Sequence, residues 1–208
     1  MTKYNITSTK QWFEIGGNKV HHTAMINWEQ LDIGSGNEIG PYVCIGTDAQ
    51  HRVEPSEGVI VIGDNNIIRE YSTINLPTRF SKITSIGSNC YFMALSHIAH
   101  DCVVADNVIF SNNATLGGHV HIMQNTQVGF SATIHQYQVI GSYCMIGMGT
   151  VIPRNKKILP GTKWVGNPAK MLGMNDVGLQ RAGISEEDLE KEKQYYENIS
   201  RRLNSHTS

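Results

Sequence analysis

Large apolar residues recur along this chain at a fixed interval of six. From Ile86 the series runs Phe92, Ile98, Val104, Phe110, Leu116, Ile122, Val128, Ile134, Ile140, Ile146, Ile152 and Ile158. Four residues after each anchor the side chain tends to be small or medium, as at Cys90, Ser96, Cys102, Ala114, Thr126, Ala132 and Thr150. The next residue is often glycine (Gly87, Gly117, Gly129, Gly141, Gly147). Neither the 3.6-residue period of a helix nor the alternation of a simple strand gives a strict period of six. The pattern predicts a prism: each hexapeptide forms a short strand and a bend, and three hexapeptides close one coil. Successive coils then stack as parallel strands roughly 4.8 Å apart. One coil cannot bury its own apolar face, so several must stack. A β-sandwich would space its turns irregularly, without this register.

The repeat also runs upstream, with one change of phase. Ile33, Ile39 and Ile45 share one register, while Ile62, Ile68, Ile74 and Phe80 share that of Ile86. Between the two lies 48–58, with Pro55 and several charged residues, which the pattern predicts to leave the prism as a loop. The segment 75–84, with Pro77, is expected to be a second irregular coil. The coils are expected to begin near residues 22–28 and to stop near Gly166. Ser185-Glu186-Glu187-Asp188 reads as a capping box opening a helix to about Leu203. A shorter helix is expected over 176–182. Both helices are expected to cover the open end of the prism, where bare strand edges would invite aggregation. The expected organisation is thus an N-terminal segment (1–20), a β-helix (21–166) and a C-terminal helical segment (167–208).

Composition narrows the classes of function. The formal net charge is −1, which does not mark a nucleic-acid binder. The N-terminus has no apolar signal region and no stretch suits a membrane span. The cysteines Cys44, Cys90, Cys102 and Cys144 form neither CxxC pairs nor a disulfide framework, so a cytoplasmic protein is expected.

Residues 18 apart fall into one column on adjacent coils. His100, Gly118 and Gln136 make one column; Asp101, His119 and Tyr137 make its neighbour. His97, His121 and His135 lie close by in sequence, and none of these histidines occupies the apolar register. Three readings are open: histidines scattered over the surface, a metal site, or a general base. In the last, His100 beside Asp101 would take a proton from a hydroxyl during attack, with backbone N–H groups near Gly118 facing an oxyanion.

The segments 96–102 (Ser-His-Ile-Ala-His-Asp-Cys), 112–120 (Asn-Asn-Ala-Thr-Leu-Gly-Gly-His-Val) and 134–136 (Ile-His-Gln) closely resemble the UDP-N-acetylglucosamine O-acyltransferase family of lipid A biosynthesis. The resemblance runs from about Ile33 to Ile184. It implies an all-β fold, a left-handed parallel β-helix with a short C-terminal α-helical segment, and a homotrimer with active sites between subunits. It implies His100 as catalytic base, Asp101 as the acid that orients it, and Gly118 as the oxyanion donor. His97, His119 and Gln136 match residues around the sugar and thioester, and Asn175 and Arg181 match nucleotide contacts.

Departures from the family are as specific as the matches. Val177 stands where the family has a nucleotide-contacting glutamate, and Ala182 where it has a second arginine. The sugar-binding Asp-x-Lys falls on Gln50-His51-Arg52, which leaves Arg52 as the retained charge. Residues 166–170 (Gly-Asn-Pro-Ala-Lys) resemble the closing motif of coenzyme A-using hexapeptide acetyltransferases. Met148 falls where the family limits acyl length, glycine there accompanying long chains, so shorter chains are expected here. The expected reaction is acyl transfer from a phosphopantetheine thioester, on acyl carrier protein or coenzyme A, to a nucleotide-activated sugar. No covalently bound cofactor is expected. The basic residues Arg154, Lys156, Lys157, Lys163 and Lys170 suit either an acidic carrier, phosphates or simple solvation. The alternative is an acetyl-CoA-dependent N-acetyltransferase on a nucleotide-linked amino sugar. A zinc-dependent γ-type carbonic anhydrase resembles the same prism, but its His-x4-His pair would place a histidine at Ile140. No metal is therefore expected.

Overall fold

The computed structural model describes residues 11–204. Its strands lie in three sheets of ten, six and seven strands, the three faces of a prism that winds left-handed. From Tyr91 onward the register is regular. His97 pairs with Thr115, Thr115 with Thr133, and Thr133 with Val151 on the seven-stranded face, each step being one 18-residue coil. Each coil donates backbone hydrogen bonds to the next, as from Thr115 N–H to Ala132 O (2.9 Å) and from Thr133 N–H to Thr150 O (2.9 Å). The six-residue anchors fill the interior; Phe110, Ile122, Val128, Ile140, Ile152 and Ile158 are wholly buried. Phe92 and Phe110 stack in adjacent coils with ring centroids 5.1 Å apart.

The bends follow a six-residue rule of their own. Asp101, Asn107, Asn113, His119, Asn125, Ser131, Tyr137 and Tyr143 all have φ between 53° and 61°. This is the left-handed region, in which asparagine and aspartate are enriched among residues bearing a Cβ. Toward the N-terminus an asparagine ladder is buried at one corner. Asn66 Nδ2 donates to Asn37 Oδ1 and Asn37 Nδ2 to Asn18 Oδ1, both at 2.9 Å. Such a ladder satisfies polar groups that would be costly to bury alone.

The ends differ in detail from the sequence pattern. Parallel pairing begins with Lys19 opposite Glu38, a little earlier than 22–28. Antiparallel strands Trp12–Ile15 and Lys170–Met174 close the two ends of the ten-stranded sheet. The chain then forms helices α1 (Asp176–Ala182) and α2 (Glu186–Asn204). Ser185 Oγ donates to Asp188 Oδ2 (2.6 Å) and accepts from Asp188 N–H (3.1 Å), the capping box expected from sequence. Helix α2 does not lie across the open end. It packs along the six-stranded face, where Tyr196 is buried with Met123 and Val139, and Ile199 and Leu203 pack beside them. Two hydrogen bonds to Glu192, from Gln124 Nε2 (2.7 Å) and Ser142 Oγ (2.8 Å), fasten it there. The apolar side of α2 finds exposed apolar surface on that face, so burial decides its course.

The loops contain a second correction. His97 pairs with Thr73, 24 residues back rather than 18, and Thr73 pairs with Cys44, 29 residues back. Both excess segments, 48–58 and 76–82, leave at the corner between the seven- and six-stranded faces. Phe80 therefore does not occupy the apolar register; it is 63% exposed on the second loop. An insertion of six residues preserves a six-residue phase, which is why the sequence pattern runs through it unbroken.

The contrast between two phenylalanines tests this register. Phe110→Ala is expected to cost about 3–5 kcal/mol in urea denaturation at fixed protein concentration, as for a buried aromatic. Phe80→Ala is expected to stay within about 0.5 kcal/mol. Equal losses at the two positions would put Phe80 back in the core.

Candidate functional site

The corner that extrudes both loops also carries the histidines. Asp101 turns the chain there with φ 60°, its N–H donating to Thr84 Oγ1 (2.9 Å), so its side chain folds back beneath loop 76–82. The carboxylate is buried with every oxygen engaged. Thr78 donates its N–H to Oδ1 (3.1 Å) and its hydroxyl to Oδ2 (2.8 Å), and Ser81 Oγ donates to Oδ1. His100 Nδ1 lies 2.7 Å from Oδ2. Burial alone would push this acid up; the hydrogen bonds from His100, Ser81 and Thr78 outweigh it and hold the carboxyl down at about 2. Asp101 is therefore an anion at neutral pH and can only accept. The proton in the His100–Asp101 bond accordingly sits on Nδ1, and Nε2 is the ring nitrogen turned away from the acid.

The Cε1–Nε2 edge of the ring lies against Gly118. A Cβ at Gly118 would lie 2.7 Å from His100 Nε2 and 2.5 Å from Cε1, so a side chain there would displace the ring. Among the described residues the Gly118 N–H has no backbone acceptor. His119 stands at right angles to His100 (centroids 5.2 Å, interplanar 89°), with Nε2 3.5 Å from Asp101 Oδ2. Tyr137, one coil further, stacks on His119 at 4.4 Å. His97 sits beside the corner on the seven-stranded face, its Nδ1 2.7 Å from Thr73 Oγ1. Burial, and to a lesser degree the neighbouring His100, pushes the His97 pKa down. Gln136 is exposed at the same corner, one coil beyond Gly118.

The remaining candidates lie elsewhere on the chain. Arg52 is exposed on loop 48–58, above the corner. Asn175 and Arg181 line a groove of about 640 Å³ between α1 and the ten-stranded face, together with Asn107, Asn125, Tyr143 and Lys163. The amide of Asn175 donates to Tyr143 O (2.8 Å). Met148 is 76% exposed at the corner between the ten- and seven-stranded faces. Within one chain these residues occupy three different edges of the prism.

Two histidines depart from the cluster suggested by sequence. His121 lies on the six-stranded face under α2, where burial pushes its pKa down to about 4. His135 is exposed, with Nδ1 3.1 Å from Gln136 O. Conversely, sequence reasoning missed His51, whose ring meets His100 edge-on at 5.6 Å, and the hydroxyls of Thr78, Ser81 and Thr84 that enclose Asp101. His51, Thr78 and Ser81 come from loop residues outside the coil period, so no column announces them, whereas Thr84 lies on a strand of the six-stranded face and meets Asp101 through its backbone. His100, Asp101 and His119 bring their ligand atoms within 4.8 Å of one another, a spacing compatible with a cation. The carboxylate already accepts four hydrogen bonds, however, and Nδ1 of His100 is protonated toward it. The donor set fits a base held by an acid better than a metal.

Comparison with known proteins agrees with the fold. Residues 83–118 match the model of the bacterial transferase hexapeptide (six repeats). The chain is 38% identical over 171 residues to a Synechocystis sp. protein named acyl-[acyl-carrier-protein]–UDP-N-acetylglucosamine O-acyltransferase, over 82% of this chain and 61% of that one. A protein of the same name from Aliarcobacter butzleri is 40% identical over 169 residues, covering 80% of this chain and 64% of the relative. The chain thus spans about three fifths of the length of these curated relatives. A crystal structure of a UDP-N-acetylglucosamine acyltransferase from Bacteroides fragilis superposes with a TM-score of 0.78 at 30% identity, over 91% of this chain and 77% of that one. The chain belongs to the UDP-N-acetylglucosamine O-acyltransferase family.

Proposed function

We propose that this protein transfers an acyl group from a phosphopantetheine thioester to a hydroxyl of a nucleotide-activated sugar, with His100 as general base. The observation that carries this reading is the His100–Asp101 pair, whose hydrogen bond at Nδ1 leaves the Cε1–Nε2 edge of the ring against the bare backbone of Gly118. In the reaction Nε2 takes the hydroxyl proton as the oxygen attacks the thioester carbonyl. Negative charge gathers on the carbonyl oxygen, which the Gly118 N–H is placed to receive. The intermediate then collapses: the C–S bond breaks, the ester forms, and the imidazolium returns its proton to the departing sulfur. Asp101 balances the charge on the ring while it holds the proton. His119 and Gln136 flank the reacting carbonyl; His97 and Arg52 contact the sugar.

The relatives' names supply the substrate pair, acyl carrier protein as donor carrier and UDP-N-acetylglucosamine as acceptor. Coenzyme A as donor, and an amino group as acceptor, are the competing choices. An amine needs less help from a base, so a weak effect of removing His100 would favour nitrogen acylation. No helix among the described residues is long and apolar enough to cross a membrane. We place the activity in the cytoplasm and residues 21–166 as its catalytic domain.

Three outcomes test the reading. His100→Ala should lower turnover by about 10²-fold or more with little change in stability, and Asp101→Asn should lower it less; full activity in His100→Ala would reject the base. The Asn175–Arg181 groove and Met148 join the His100 corner only if neighbouring chains supply them, so the protein should be a homotrimer. A monomer by light scattering at assay concentration would contradict that. Finally, Met148 would fill space open to a longer acyl tail, and each methylene left unburied forfeits about 0.8 kcal/mol. Wild type should prefer short or medium chains and Met148→Gly longer ones; a shared optimum across a donor series would remove Met148 as the ruler.

A further inference from the structure

No step of the reaction uses His51, yet its ring stands at right angles to that of His100 (centroids 5.6 Å apart, interplanar 87°). His51 is itself held in place. Its Nδ1 accepts the N–H of Glu54 (2.8 Å) and, more loosely, that of Val53 (3.4 Å), so the side chain closes a tight turn in loop 48–58. A ring nitrogen that accepts carries no hydrogen, so the hydrogen of this imidazole sits on Nε2. Among the described residues these two are the hydrogen bonds of the His51 side chain, and its contact with His100 is one of ring packing. Further bonds tie the turn to loop 76–82. The Glu54 carboxylate pairs with Arg79 (2.6 Å), while Ser56 Oγ accepts from Ala49 N–H (2.8 Å) and Ser56 lies opposite Thr78. Thr78 is the residue whose hydroxyl donates to Asp101.

We propose that His51 is a positioning residue for His100, its ring holding the plane of the base against Gly118. The inference rests on the general-base reading above and adds a residue that acts through the base. The bond between Nδ1 and Asp101 fixes one corner of the His100 ring and by itself lets the ring tilt about that corner. Gly118, at the Cε1–Nε2 edge, leaves room for the imidazole but has no side chain to grip it. The gripping contacts are therefore the two perpendicular rings, His119 (5.2 Å, 89°) and His51, and His100 is left 6% exposed. His119 is steadied by Tyr137, which stacks on it, and His51 by the turn at Glu54. The size of the effect follows from the contact. An edge-to-face ring pair favours one arrangement by about 2- to 10-fold, and a tilted base is out of line with the proton it must take. Losing the His51 ring should thus lower turnover rather than substrate affinity. Loop 48–58 acts on both members of the pair, on Asp101 through Thr78 and on His100 through His51.

Two substitutions divide the side chain. His51→Asn keeps an acceptor for the Glu54 N–H, and so the turn, but removes the ring. His51→Phe keeps a ring and removes the acceptor. In His51→Asn kcat should fall about 2- to 10-fold, with KM for donor and acceptor within about twofold of wild type. His51→Phe should recover most of the lost kcat, and both variants should keep the wild-type urea midpoint. The direct readout is proton–nitrogen correlation NMR on protein with isotopically labelled histidines, the His100 signals being assigned by their loss in His100→Ala. Wild type and His51→Phe should show one sharp set for His100, and His51→Asn a broadened or split set. These spectra need no turnover, so they still judge the contact if His100→Ala keeps full activity and the base reading fails. An unchanged kcat and an unchanged His100 signal in His51→Asn would overturn the proposal. So would a rise in acceptor KM at constant kcat, which would make His51 a substrate contact instead.

Discussion

The structure depends on register between stacked coils. Each strand within the coils is two to four residues long, too short to be stable alone, and its backbone groups are satisfied by the coils above and below. A residue and its counterpart 18 positions later must therefore occupy equivalent sites. The interior enforces the same rule, because the apolar anchors from successive coils stack on one another, as Phe92 does on Phe110. Extra residues cannot be absorbed along a face without breaking this pairing. They are expelled at a corner, and here both large insertions leave at the same one.

That shared exit explains how a surface edge comes to hold a buried carboxylate. A charged group pays a large desolvation cost unless its hydrogen-bonding capacity is met. On a bare prism corner Asp101 would be solvated and its partner imidazole free to turn. Loop 76–82 closes over it and brings Thr78 and Ser81, while the first loop lies against the second through Ser56 opposite Thr78 and the Arg79–Glu54 ion pair (2.6 Å). The hydrogen bonds outweigh desolvation, so the acid stays ionised where burial would otherwise protonate it. The setting of His100 thus derives from the insertions as much as from the coil that bears it.

This division also sets what could be read from the chain. The prism, its period and the His100, Gly118, Gln136 and Asp101, His119 columns follow directly from spacing, because register converts sequence distance into position. The two helices and the Ser185 capping box were equally local. Phe80 was misplaced because a six-residue insertion is silent to a six-residue period. The course of α2 was misplaced because its destination depends on which prism face leaves apolar groups such as Met123 and Val139 uncovered, a property of three-dimensional packing. His51, Thr78 and Ser81 lie in segments with no period, so spacing gave no means of pairing them with the corner.

A rigid prism has a further consequence for the separate edges. Loops can bend toward one another, but stacked coils cannot bring one edge of the same chain to another. The His100 corner, the Asn175–Arg181 groove and Met148 occupy three edges, so no motion within the coils assembles them into one cleft. Helix α2 is likewise fastened, to the six-stranded face through Glu192. The homotrimer proposed above answers that constraint, because the edges missing from one chain's cleft are those that neighbouring prisms present. In such a trimer symmetry supplies each cleft with all three kinds of edge, since every chain offers the same set to its neighbours.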